Sequence, residues 1–155
     1  MTVEVTLTVN GDTRSAAVEP RRTLAEFLRT NLALSGPHLA CEHGVCGSCT
    51  VLVDGVSARS CLMLAVQAGD AEVTTIEGLA TDGKMSTLQE AFRDAFAFQC
   101  GFCTPGMVMT AAEFLRENPH PEEREVREAI SGNICRCTGY ESIVNGIPLA
   151  AERGA

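Results

Sequence analysis

The chain has little positive charge. Twelve lysines and arginines face twenty aspartates and glutamates, a formal net charge of −8, and no basic run offsets it. A phosphate backbone would be repelled, so nucleic acid is excluded as an expected partner. Long apolar runs are missing too, and with them any segment of the length that membrane insertion requires. The opening residues MTVEVTLTVNGDTRSAAVEP alternate apolar and polar side chains and lack the basic start and apolar block of a secretory signal. The expected location is the cytoplasm. Histidines are scarce: only His38, His43 and His120 occur, and all three are expected at the surface.

Cysteine, by contrast, is plentiful. Eight cysteines occur in 155 residues whose 45% hydrophobic and 21% charged content suits a folded chain with a core. In a reducing compartment they are better read as metal ligands or catalytic groups than as disulfides. They fall into two sets of four. Cys41, Cys46, Cys49 and Cys61 make the first, Cys100, Cys103, Cys135 and Cys137 the second, and residues 62–99 hold none.

The first half reads as a small mixed α/β unit. Val3, Val5, Leu7 and Val9 alternate as one face of a strand, and Asn10-Gly11 supplies the positive-φ pair of a tight hairpin that returns through SAAVEP. Thr23 and Glu26 have capping-box spacing ahead of the helical stripe Leu24, Phe27, Leu28 and Leu32. TVLVD and VSARSC flank a second hairpin signal at Asp54-Gly55, and AEVTTIEGL is expected to close the unit as a last strand before Gly78. Pattern and order suggest a β-grasp.

The second half changes to helical period. Thr87 and Glu90 have capping-box spacing, and Met85, Leu88, Phe92, Ala95 and Phe96 form a stripe expected to run up to Cys100. Thr104-Pro105 reads as an N-cap and first helical residue, with Val108, Ala111, Ala112 and Leu115 behind it and Asn118-Pro119 at the end. A third helix carries Val126, Ala129 and Ile130 and stops near Gly132; a fourth carries Tyr140, Ile143, Val144 and Ile147, with Pro148 as a kink or end. The fold class is therefore α+β: an N-terminal β-grasp over residues 1–78 and a C-terminal four-helix bundle over residues 79–155.

Spacing says what the first set holds. Cys41, Cys46 and Cys49 are separated by four and then two residues and followed by a distant Cys61, the plant-type pattern for a 2Fe-2S cluster. Gly44 and Gly47 let the loop turn tightly so that amide N–H groups can face sulfur and stabilise its charge. Structural zinc usually draws on two similar C-x-x-C knuckles, whereas here the two such pairs lie in different halves. Cys41-Glu42-His43 suggests half of a Rieske motif, but neither His38 nor His120 follows a cysteine two or three residues later. A thioredoxin-like pair would leave the other thiols unexplained. For the second set, spacing alone says only that four thiolates bind something.

The runs GVCGSCTVLVDG, QCGFCTPGMVM and SGNICRCTGY resemble the small iron-sulfur subunit of the molybdenum hydroxylase family, which includes xanthine dehydrogenase, aldehyde oxidoreductase, carbon monoxide dehydrogenase and bacterial dehydrogenases of N-heteroaromatic compounds. The resemblance covers nearly the whole chain. It implies a plant-type ferredoxin-like domain over residues 1–78 with one 2Fe-2S cluster on Cys41, Cys46, Cys49 and Cys61, and a helical domain over residues 79–155 with a second on Cys100, Cys103, Cys135 and Cys137, close to a molybdopterin cofactor, in its cytosine dinucleotide form, carried by a separate large subunit. It further implies that Gln99 and Cys137 lie against the pterin, and that Gly101, Gly132 and Gly139 serve turns and close approach. Electrons would pass from molybdenum through the helical-domain cluster and then the ferredoxin-domain cluster to FAD on a medium subunit, in a heterotrimer or its dimer. No general acid or base for substrate is visible, and Glu122, Glu123 and Glu125 read as a solvated helix face. The competing reading is a free two-cluster electron carrier; a regulatory sensor would need a DNA- or effector-binding element, and none is apparent.

Overall fold

A computed structural model describes all residues from Met1 to Ala155. Five strands form one sheet: β1 (Val3–Val9), β2 (Asp12–Val18), β3 (Thr50–Val53), β4 (Val56–Arg59) and β5 (Glu72–Thr74), in the order β2-β1-β5-β3-β4. The β1/β5 pair is parallel and the others antiparallel. The expected hairpin forms at Asn10 and Gly11, with φ of 52° and 84°, the two positive values that match the twist of the flanking strands. Val5, Leu7 and Val9 point inward with Val18, Val51 and Val73 and pack on Leu24, Phe27 and Leu28.

Those last residues belong to α1 (Leu24–Glu26), which opens with the predicted capping box of Thr23 and Glu26. It widens at once into a π-helical turn over Phe27–Asn31. The Thr30 hydroxyl donates to the Glu26 carbonyl at 2.6 Å, and Leu32 N–H reaches back to Phe27 O. A hydroxyl that takes a helical carbonyl competes with the regular ladder. The closing strand is shorter than AEVTTIEGL suggests. β5 ends at Thr74, and Ile76–Leu79 turn as a 3₁₀ segment whose Ile76 and Leu79 pack on the second core.

That second core lies among α2 (Thr87–Asp94), α3 (Thr104–Glu117), α4 (Glu123–Ala129) and α5 (Glu141–Glu152). Leu88, Phe92, Met107, Val108, Leu115, Val126, Ile143, Val144 and Ile147 are buried together there. Three sequence expectations change. The N-cap of α2 is Ser86, boxed with Gln89, not Thr87 with Glu90. The helix stops at Asp94 rather than reaching Cys100: Phe96 turns left-handed at φ 51°, its N–H bonds to Arg93 O, and Ala97 N–H bonds to Phe92 O, the two bonds of a Schellman ending. Phe96 is therefore 79% exposed instead of extending the stripe, and Met85 is also exposed. Third, Thr104 is the first helical residue of α3 and Cys103 its N-cap. Pro148 lies inside α5, which continues to Glu152.

The two cores are held together along α3, which runs beside β3 and β4. Arg116 Nη2 donates to Gly55 O at 2.6 Å, and Glu113 accepts from Ser57 N at 3.0 Å. No helix is long and apolar enough to cross a membrane.

Candidate metal centres

The first four thiols converge beside the sheet. Cys41, Cys46 and Cys49 sit in the loop that leads into β3, and Cys61 follows β4. Cys49 and Cys61 are buried with Ala25 and Leu39 packed against them, while Cys41 and Cys46 are half-exposed. Buried Ser60 pins the inner pair by donating its hydroxyl to Cys49 O at 2.6 Å. Cys46 N–H donates to Cys41 Sγ at 3.4 Å. That donor, with His43 N–H next, holds the Cys41 thiol down at about 6. Burial, reinforced by the neighbouring Cys49 thiol, pushes Cys61 up to about 11. The loop does turn at Gly44 and Gly47, with φ of 82° and 76°. Gly47 is doubly required, because a Cβ there would meet Asn133 Nδ2 and Gly132 O at 2.6 Å.

The second set assembles from two loops. Cys100 and Cys103 precede α3; Cys135 and Cys137 precede α5. Cys137 Sγ lies 3.5 Å from Cys100 Sγ, and both residues are exposed. Cys103 and Cys135 are the inner members. Burial, then the shared contact with Cys135, pushes Cys103 up to about 12. Burial raises Cys135 as well, but hydrogen bonds from the Thr138 hydroxyl and backbone outweigh it and bring the thiol below its ordinary value. Cys137 is raised by sharing a hydrogen bond with Cys100.

Polar groups that spacing did not single out support this second set. Thr138 Oγ1 is 3.0 Å from Cys135 Sγ. Tyr140 Oη accepts from Cys135 N at 3.0 Å and donates to Asn133 O. Thr138 and Tyr140 lie within the CRCTGY run, but only the loop's reversal, with Tyr140 at φ 70°, aims them back at Cys135.

The donor set suits two-iron clusters. The outer thiols Cys100 and Cys137 stand as one adjacent couple and the inner thiols Cys103 and Cys135 as another, an arrangement that fits two irons with two thiolates each. Cys49 with Cys61 makes the corresponding inner couple of the first set.

The two sets meet across the domain contact. Ile134 N–H donates to Cys46 O at 2.9 Å, and Asn133 Nδ2 donates to Gly47 O at 3.1 Å. Arg59 donates to Thr50 Oγ1 and to Gly132 O. His43 and His120 are exposed as expected, but His38 is half-buried at this contact, its Nδ1 2.6 Å from Phe102 O. Gln99 is exposed next to Cys100.

Fold and thiols together define a chain with two 2Fe-2S-binding units. Residues 7–78 match the family described as 2Fe-2S iron-sulfur cluster binding domain, and residues 75–148 match the 2Fe-2S binding domain family. The chain is 53% identical to the nicotine 6-hydroxylase small subunit of Paenarthrobacter nicotinovorans, over 94% of this chain and 87% of that one. It is 52% identical to the caffeine dehydrogenase subunit gamma of Pseudomonas sp. (strain CBB1), over 92% and 87%. Its structure superposes on quinoline 2-oxidoreductase from Pseudomonas putida 86 with a TM-score of 0.95 and 51% identity, covering 99% of this chain and 98% of the other. The aldehyde oxidoreductase of Desulfovibrio desulfuricans ATCC 27774 gives 0.93 and 40%, covering 97% of this chain but 17% of that longer one. The chain belongs to the small iron-sulfur subunits of the molybdenum hydroxylase family, and is an electron-transfer subunit of an oxidoreductase complex.

Proposed function

We propose that residues 1–78 form a β-grasp ferredoxin domain holding one 2Fe-2S cluster on Cys41, Cys46, Cys49 and Cys61. Residues 79–155 form a four-helix bundle holding the second on Cys100, Cys103, Cys135 and Cys137. Bound there, each cluster supplies one-electron storage between a molybdopterin centre on a large subunit and FAD on a medium subunit. The chain's own contribution is distance and environment. Thiolate ligation, burial and hydrogen bonds to sulfur set where each site sits on the redox scale.

One observation carries the order of transfer. Ile134 immediately precedes Cys135, and its N–H donates to the carbonyl of Cys46. A single hydrogen bond therefore links a ligand-bearing residue of one set to the neighbour of a ligand in the other. Cys100, Cys137 and Gln99 are exposed, which leaves the outer thiolates of the helical half open to cover by a large subunit. We assign Gln99 and Cys137 to the pterin contact, in a cytoplasmic heterotrimer or its dimer.

The relatives at 51–53% identity are named for nicotine, caffeine, 6-hydroxypseudooxynicotine and quinoline. On this ground we take N-heteroaromatic compounds, oxidised on the large subunit, as the substrate class of the complex. A free two-cluster carrier would leave the exposed Cys100 and Cys137 without a partner to cover them. The deciding experiment is purification with metal analysis. The chain is expected to co-purify with a larger subunit and to carry about four irons and four acid-labile sulfides; two irons, or stoichiometric zinc, would overturn the ligand assignment, and a chain that purifies alone would favour the free carrier.

A further inference from the structure

His38 is tied to both cysteine loops. Its backbone N–H donates to Ser48 O at 3.2 Å, next to Cys49. Its Nδ1 is 2.6 Å from the carbonyl oxygen of Phe102, which lies between Cys100 and Cys103. A carbonyl only accepts, so Nδ1 carries the proton and donates. The imidazole also stacks on the Phe102 ring, centroids 4.7 Å apart and planes 29° from parallel. A ring held by a hydrogen bond and a stack has one orientation, so its dipole at Phe102 O is fixed.

We propose that His38, a residue of the sheet half, is a positioning residue that sets the reduction potential of the cluster held by the helical half. The coupling runs through one peptide group. The carbonyl that accepts from His38 belongs to the Phe102–Cys103 peptide, whose N–H is that of Cys103 itself, in the same residue as an assigned ligand sulfur. Hydrogen bonds along one peptide polarise one another, so donation at the oxygen strengthens the donor at the nitrogen. A stronger donor beside a thiolate stabilises the extra negative charge of the reduced state. His38 therefore raises the potential of the helical-domain site. Its effect on the first site is small, because there it contributes only a backbone bond that any residue would make.

This inference rests on the ligand assignment above, and its test separates the two. In the assembled, cluster-loaded complex, EPR signals are assigned to the two sites with Cys49→Ser and Cys103→Ser, and midpoint potentials are then titrated for His38 variants. His38→Ala is expected to make the helical-domain site three- to tenfold harder to reduce, a fall of about 30–60 mV for one electron, and to leave the other site within error. His38→Asn places an amide N–H where Nδ1 was and should recover most of the shift. His38→Gln places it one carbon further out and should not. If the alanine variant fails to assemble, the Asn and Gln pair carries the comparison. An unchanged helical-domain potential in His38→Ala and His38→Gln, equal shifts at both sites, or equal behaviour of Asn and Gln overturns the role of His38. A wild-type complex without two distinct 2Fe-2S signals overturns the ligand assignment and this role with it.

Discussion

Asn133 Nδ2 donates to the carbonyl of Gly47 at 3.1 Å, joining the loop of the second cysteine set to a turn of the first. Asn133 is 1% exposed, and its Oδ1 accepts from Thr110 Oγ1 at 3.0 Å. Asn133→Ala is expected to destabilise the chain by about 1–2 kcal/mol, in the lower part of the range for a buried polar loss. The reason is that Gly47 O keeps its bond from Thr50 and Thr110 keeps Gly106 O. Asn133→Asp should cost more, because it sets a buried carboxylate against the Gly47 carbonyl. Denaturant unfolding of the two variants would check the order.

Each cysteine set should stand or fall by itself. No thiol is shared, and the two sets lie against different cores. Cys49→Ser is expected to abolish one reduced EPR signal and leave the other, and Cys103→Ser the reverse. Loss of both signals in either variant would show that the loops fold only together, through the Ile134 and Asn133 bonds.

Thr138 should tune the second site directly. Its hydroxyl is 3.0 Å from Cys135 Sγ and also accepts from Tyr140 N. Thr138→Val keeps the shape and removes the donor, so the potential of that site should fall by about 30–60 mV, a three- to tenfold change in its one-electron equilibrium. Thr138→Ser should restore it. Midpoint titration by EPR reads the difference.

The parts of this molecule legible in sequence were those governed by local rules. The spacing of Cys41, Cys46 and Cys49, the Asn10-Gly11 turn and the Thr23/Glu26 box each depend on a few adjacent residues, and each is present. The Phe92 stripe misled because it looked only at period. Helix α2 ends where Phe96 turns left-handed, an ending that sequence rules expect from glycine. His38, Asn133 and Arg59 could not be singled out at all. Their partners, Phe102, Gly47 and Gly132, lie 64, 86 and 73 residues away, and no local pattern encodes such pairs.

Phe96 itself yields a prediction. A bulky side chain in the left-handed region costs about 1 kcal/mol, and at 79% exposure its ring recovers little within the chain. Phe96→Gly should therefore stabilise the isolated subunit by about 1 kcal/mol in thermal or denaturant unfolding. The residue lies in the same loop as exposed Phe98, Gln99 and Cys100, where a large subunit is proposed to dock. The same variant should weaken co-purification with that subunit, and intact assembly would place the docking surface elsewhere.

The last prediction concerns Gln99. It lies exposed and next in the chain to Cys100, whose sulfur is 3.5 Å from that of Cys137, without being one of the thiols. Gln99→Ala leaves all eight thiolates in place, and both clusters should survive with unchanged iron content and EPR signals. If the amide contacts a pterin buried in the assembled complex, removing it deletes a polar partner worth about 1–3 kcal/mol. Pterin occupancy, or the rate at which substrate reduces the helical-domain site in a single turnover, should then fall about fivefold or more, since about 1.4 kcal/mol is a factor of ten. Gln67→Ala serves as the control. Gln67 is exposed, and its side chain only accepts from Leu64 N at 2.8 Å, so its loss should change neither quantity. Full pterin content and unchanged single-turnover reduction in the Gln99 variant would remove the cofactor from the neighbourhood of Gln99 and Cys137, while leaving the eight-cysteine assignment untouched.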